Sequence, residues 1–530
     1  MILRQFDRGE FSVKNVDLIL YNGDILTIDE NLNTVNWIAI DKGNIIDIGN
    51  DDEYKKYIET AKEKIDLMGK TVLPGFYDSH VHLVQTGLNL LSVDLSDVES
   101  IGELQERIRK AADKKPEGQL IRGIGYDDLR VAEGRMPTRY ELDKCAPNHP
   151  VWINRVEYHI SSVNSMALNS LNIPFDLEGI IRDERGLPDG RLKDKASAYI
   201  RGQILNSLSD KIRKKGINKA LDLAISKGVT TIGALEGGFV FHNRDAEFII
   251  NNKRKFPIDI NLFYQTIDVN MVKEKQLNRI GGCIFLDGSF GSRNAALKED
   301  YSDQKNNKGR LFFSQEELNE FILNAHKENL QITVHAIGDR AIEQILNSYE
   351  YALTKYKREN HRHRIEHFEL PSDEHIKRAK DLELVLSMQP SYEYYWGDKG
   401  DLYDKRLGER RKRTNPLKKI IESGLTIAGG SDSDVTKIDP LLGIHTAVNH
   451  PNKEYSISVI EAIKLFTING AYSVFEEDIK GSIEIGKWAD LVVLDKNPLK
   501  VEKERIKDIN IELTLKQGDR IFKNKGDIYG

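Results

Sequence analysis

Over the first 70 residues, apolar positions come in short runs separated by Gly, Asn and Asp. Residues 16–28 read as strand around the turn Asn22-Gly23-Asp24. Residues 37–40 and 45–48 flank Lys42-Gly43-Asn44, the pattern of a hairpin. The last 50 residues have the same texture. Residues 481–484, 489–494 and 511–515 are apolar runs broken by Gly486-Lys487 and Gly518-Asp519. Weak strands at both ends, with a long stretch between them, predict one β domain assembled from both termini.

The middle of the chain alternates between two periods. Ser314 and Glu317 form a capping-box pattern, and Leu318, Phe321, Ile322 and Ala325 follow at helical spacing. Residues 330–335 then read as strand, and Ile342, Ile345, Leu346 and Tyr349 mark a helix. Residues 364–368 are strand, 372–382 helix and 384–388 strand. Asn415 before Pro416 starts a helix that stops at Gly424, and residues 425–428 are the next strand. Strand and helix alternating at about 30 residues per unit predict α/β architecture with a parallel sheet, most simply a (β/α)8 TIM-like barrel. Residues 95–220 are charged and partly helical, and read as an irregular insertion.

Composition narrows the function classes. The chain has 530 residues, 30% charged and 39% hydrophobic, with a net charge of −6. This is the composition of a globular protein, and it lacks the basic excess of a dedicated nucleic-acid binder. The charge run from Lys405 to Arg413 reads as a solvated face. Cys145 and Cys283 are the two cysteines, too few for a disulfide framework or a Cys-based zinc finger. No apolar run of about 18 residues predicts a membrane helix. The first residues lack the apolar core of a signal peptide, so the expected location is cytoplasmic. With 13 histidines, any metal is expected on His and carboxylate ligands.

The sharpest local pattern is LPGFYDSHVHL (73–83). Strand residues two apart point to one side, so His80 and His82 can offer two imidazoles to one cation. A His-x-His pair is often incidental, but this pair closes an apolar strand, at the end where barrel enzymes place their active sites. His335 and His367 also close strands, and each alone is compatible with a core histidine. They stand 32 residues apart, one strand–helix unit, and Asp432 follows His367 by 65, two units. A buried Asp at a strand end needs a partner, which a cation supplies.

This pattern resembles the amidohydrolase superfamily, and within it family 3, the branch of YtcJ-like proteins and N-substituted formamide deformylases. The stretches that carry the resemblance run in order over nearly the whole chain. They are LPGFYDSHVHL (73–83), PVWINRVEYHISSVNSMAL (150–168), FLDGSFGSRNAAL (285–297), ITVHAIGDRA (332–341), HRIEHFEL (363–370), SMQP (387–390), GGSDSD (429–434) and GSIEIGKWADLVVLD (481–495). The resemblance implies a β-sandwich in two parts, residues 1–70 and 475–530, around a catalytic barrel over 71–474 that carries the insertion. It implies one or two divalent metals, zinc foremost, and hydrolysis of a C–N bond in a small amide, formamide or cyclic amide by metal-activated water. His80 and His82 would bind one metal. His335 and His367 would bind a second; in a one-metal site, His335 joins the first and His367 polarises the substrate carbonyl. Asp432 would ligate the metal and shuttle the proton.

One departure stands out. Many members carry a carboxylated Lys four positions before the Asp of the DGS motif. Here that Asp is Asp287, and the position is Cys283. Three substitutes are open: Glu236 as a bridging carboxylate at the end of strand 2, which is the favoured expectation; Cys283 as a thiolate; or a single metal. His159, Arg155, Arg293 and Gln389 are candidate substrate contacts, each with a structural role as the alternative. The expected partner is a small-molecule amide, with no nucleic acid or membrane, and a homodimer is left open. The alternative functions are a one-metal aminohydrolase of a heterocycle and a non-catalytic scaffold.

Overall fold

A computed structural model describes residues 15–156, 160–174, 176–239 and 241–524. Eight strands form one sheet: β1 (Phe76–Val81), β2 (Val229–Glu236), β3 (Asp259–Tyr264), β4 (Arg279–Ile280), β5 (Gln331–Ala336), β6 (Arg364–His367), β7 (Val385–Met388) and β8 (Thr426–Gly429). Neighbours pair in chain order, all parallel. The sheet closes on itself, because Val81 bridges Ser433 in parallel and Asp432 N donates to His80 O at 2.8 Å. The predicted (β/α)8 barrel is therefore present. Nearly every residue of its strands is buried, polar ones included, because both faces are covered.

β4 is two residues long for a local reason. Gly281 takes φ +95°, and a Cβ there would stand 2.1 Å from Thr333 O. Only glycine allows this approach. The chain then returns to the barrel wall, where Phe285 bridges His335.

The helices follow the predicted faces. Gln315–Lys327 starts at the Ser314/Glu317 capping box and buries Leu318, Phe321, Ile322 and Ala325. Asp339–Lys355 buries Ile342, Ile345, Leu346 and Tyr349. Among the described residues, no helix is long and apolar enough to cross a membrane.

Two further sheets draw strands from both ends of the chain. One orders Asn44–Gly49, Trp37–Asp41, Leu18–Tyr21 and Glu63–Asp66; the other orders Asp519–Lys523, Ile511–Lys516, Leu491–Leu494, Thr71–Pro74, Asp24–Leu26 and Thr34–Val35. Leu20, Ile38, Ile40, Val72, Leu491 and Leu515 share one core between them. The predicted hairpin at Lys42-Gly43 forms. The turn expected at Asn22-Gly23 also lies between two strands, but Leu18–Tyr21 lies in one sheet and Asp24–Leu26 in the other, so it carries the chain across the sandwich. Residues 481–484 form no strand, although Ile483 N donates to Thr27 O at 2.7 Å.

Leu83–Ala220 and Phe241–Phe248 make a separate compact unit. The sequence suggested an irregular insertion here. The structure shows a mixed six-stranded sheet with its own buried apolar clusters, including Ile121, Val151, Ile153 and Trp152. Its strands are short and interleaved with charged helices, which hides their alternation in the sequence.

Candidate metal centre

The C-terminal ends of β1, β5, β6 and β8 bring His80, His82, His335, His367 and Asp432 into the barrel, all buried. Each histidine has one ring nitrogen tied to an acceptor. His80 Nδ1 lies 2.6 Å from Glu366 Oε2, His82 Nδ1 3.0 Å from Leu235 O, His367 Nδ1 2.7 Å from Gln389 Oε1, and His335 Nε2 3.2 Å from Gly288 O. Acceptors at these positions assign the ring proton to the tied nitrogen and leave the other nitrogen as the ligand atom. Those ligand nitrogens turn inward. His80 Nε2 and His82 Nε2 stand 3.0 and 3.3 Å from Asp432 Oδ1. Two ligands of one tetrahedral cation at about 2.0–2.1 Å are separated by about 3.3 Å.

A second set lies beside the first. His80, Cys283 and His367 offer ligand atoms within 4.8 Å of one another, as do His80, His82 and Asp432. Cys283 Sγ is 3.6 Å from His335 Nδ1 and 3.7 Å from His367 Nε2. Glu236 belongs to neither set. Glu236 was the favoured substitute for the absent lysine; the donor groups formed among the described residues contain Cys283 instead.

The local charges suit a cation. Burial opposes ionisation of Asp432, but the His80 and His82 rings outweigh it and hold its carboxyl well below the usual range. Burial likewise opposes a charged His80, yet Asp432 and Glu366 raise it well above an ordinary histidine. Against burial, Asp287 and Cys283 lift His335 to about 10. Such a field draws protons onto the rings in the metal-free protein, and a divalent cation displaces them on binding. His80 Nε2 and Asp432 Oδ1 are buried together, 3.0 Å apart, and neither makes a well-directed hydrogen bond. A metal between these donors completes both, so the residues fit the group. His367, Phe368 and Asp432 sit at φ +72°, +51° and +52°, backbone strain of the kind that gathers at functional sites.

Three residues absent from the expected site also shape it. Glu366 orients His80 and is itself held by Arg364 and the Thr333 hydroxyl. Tyr392 donates its hydroxyl to Asp432 Oδ2. Asp287 accepts from Ala296 N at 2.8 Å, Gly338 N at 2.8 Å and Ile337 N at 3.1 Å, tying the loops after β4 and β5 together. A Glu inside a buried strand, one residue before a candidate ligand, was a readable signal for Glu366. Tyr392 had none.

The expected substrate contacts fare differently. Gln389 is committed to His367. Arg293 pairs with Asp303 through Nε at 3.1 Å and Nη2 at 2.9 Å, and so braces a loop. Arg155, in the separate unit, donates to Asp128 and lies 3.5 Å from Asp127. His159 lies outside the described residues.

Comparison with known proteins finds relatives over nearly the whole chain. A model of the amidohydrolase family matches residues 63–522. The putative amidohydrolase YtcJ of Bacillus subtilis is 30% identical, over 95% of this chain and 99% of its own length. N-substituted formamide deformylase of Arthrobacter pascens is 26% identical, over 96% of this chain and 99% of its own. The crystal structure of an uncharacterized metal-dependent hydrolase from Pyrococcus furiosus matches with a TM-score of 0.76 and 30% identity, over 91% of this chain and all of that one.

Proposed function

Since the chain belongs to the amidohydrolase family, we propose that this hydrolase opens the C–N bond of a small amide, formamide or cyclic amide at a zinc centre held by His80, His82, His335, His367 and Asp432. The observation that carries this reading is the shared orientation of four histidines, each tied at one nitrogen and turned inward at the other. The resemblance to N-substituted formamide deformylase supports an amide as substrate.

When bound, a divalent cation lowers the pKa of a water toward 7 and polarises the carbonyl it faces. Asp432 is the proton carrier of the site. Its Oδ2 is fixed by the Tyr392 hydroxyl, while Oδ1 faces the two β1 histidines. It takes a proton from the attacking water and delivers it to the leaving nitrogen as the C–N bond breaks, so the water ends as the hydroxyl of the acid and the hydrogen of the amine. Gln389 and Glu366 keep His367 and His80 in the tautomers that face the centre.

The test combines metal analysis with turnover. Purified protein should carry divalent metal and release amine from some of a panel of N-formyl, N-acyl and cyclic amides, with ammonia followed in parallel. Ammonia from heterocyclic amines without cleavage of any amide would replace this reading with a deaminase. Protein that neither carries nor takes up metal would remove the hydrolytic centre.

A further inference from the structure

We infer that Cys283 supplies the anion shared by two cations, in the place where many members of the family carry a carboxylated lysine. This deepens the reading above and rests on it.

The geometry carries the inference. A thiolate and an imidazole bound to one tetrahedral zinc, at about 2.3 and 2.0–2.1 Å, stand about 3.6 Å apart. Cys283 Sγ lies 3.6 Å from His335 Nδ1 and 3.7 Å from His367 Nε2. The same sulfur groups with His80, which also groups with His82 and Asp432 and whose buried Nε2 stands 3.0 Å from Asp432 Oδ1. The sulfur therefore sits where the two ligand sets meet.

Two divalent cations a few ångströms apart repel, and an anion between them makes the pair tolerable. Among the described residues, Glu236 is grouped with neither donor set. Cys283 is delivered by the Gly281-Gly282 step, with φ +95° and +58°, that ends β4 early. Binding would exchange the thiol proton for metal and release that proton to solvent. A soft thiolate in the set favours zinc over magnesium or manganese.

The experiment uses the full-length protein, stripped by chelator and reloaded with Co(II). Wild type should take up two cobalt ions per chain and show a thiolate-to-cobalt charge-transfer band in the near ultraviolet. Cys283→Ser should lose the band and about one equivalent, whereas Cys145→Ser and Glu236→Gln should keep both. Cobalt uptake without the band, or a band that survives Cys283→Ser, overturns thiolate ligation and leaves the metal centre standing. One cobalt with the band overturns the shared position. No cobalt uptake overturns this inference together with the proposed function. If Cys283→Ser does not fold, the wild-type band and count, with Cys145→Ser as control, still decide.

Discussion

Replacing Glu366 by Gln asks how firmly the ligand face of β1 is held from within the barrel. Glu366 is fully buried. Its Oε2 meets His80 Nδ1 at 2.6 Å, and its Oε1 accepts Arg364 Nε at 3.0 Å and Nη2 at 2.7 Å, with the Thr333 hydroxyl as a third donor. Burial alone would raise this carboxyl; Arg364 and His80 outweigh it and hold it at about 2, against an ordinary 4.5. That difference corresponds to about 3 kcal/mol of stability. It agrees in order of magnitude with the roughly 3–5 kcal/mol lost when one partner of a buried ion pair is removed. Gln keeps the shape and one acceptor but leaves Arg364 buried with no counter-charge. We expect chelator-treated Glu366→Gln to lose about 3 kcal/mol in urea unfolding read by tryptophan fluorescence. His80, facing a neutral amide, becomes a weaker ligand, so metal affinity should fall about 10–100-fold. Adding Arg364→Met should restore stability and not affinity. The contribution of Glu366 is fully present above its unfolded value of 4.5 and is lost as pH falls toward 2. The gap between variant and wild type should therefore close below pH 4.5. A variant with the wild-type urea midpoint and the wild-type metal affinity would refute this account of the His80 support.

His82→Ala should lower bound metal and abolish turnover while far-ultraviolet circular dichroism stays unchanged, since the ring contributes a ligand and little packing; full metal content would move the site. Asp432→Asn should retain the fold and lose several orders of magnitude in kcat, because an amide accepts no proton; near-normal kcat on a cleaved amide would place the shuttle elsewhere. A separate buried trio, His326, His361 and His363, should make the protein sensitive to acid. Burial, with help from His326, lowers His361 to about 4 from 6.5, so it contributes stability that is complete above pH 6.5 and lost as pH falls toward 4, about 3 kcal/mol in all. Comparing urea midpoints of wild type and His361→Gln from pH 7 to pH 4 checks this, and a constant difference would be the wrong result.

Much of this molecule is legible without coordinates. Short strand-like runs leading to His335, His367 and Asp432, spaced by whole strand–helix units, already imply a parallel barrel with candidate ligands at one end. The Ser314/Glu317 box and the 342–349 apolar face become helices because local hydrogen bonding and burial agree there. What the chain alone left open depends on contacts between distant segments. Asn22-Gly23 has hairpin chemistry, but two sheets sharing one core pull its flanking strands apart. Gln389 and Arg293 looked alike as polar residues after strand ends. Only packing assigns one to His367 and the other to Asp303. Glu236 and Cys283 were rival anions by sequence position. Only the fold shows that the glycine step at 281–282 delivers the Cys283 sulfur to within 3.6 Å of His335 and 3.7 Å of His367.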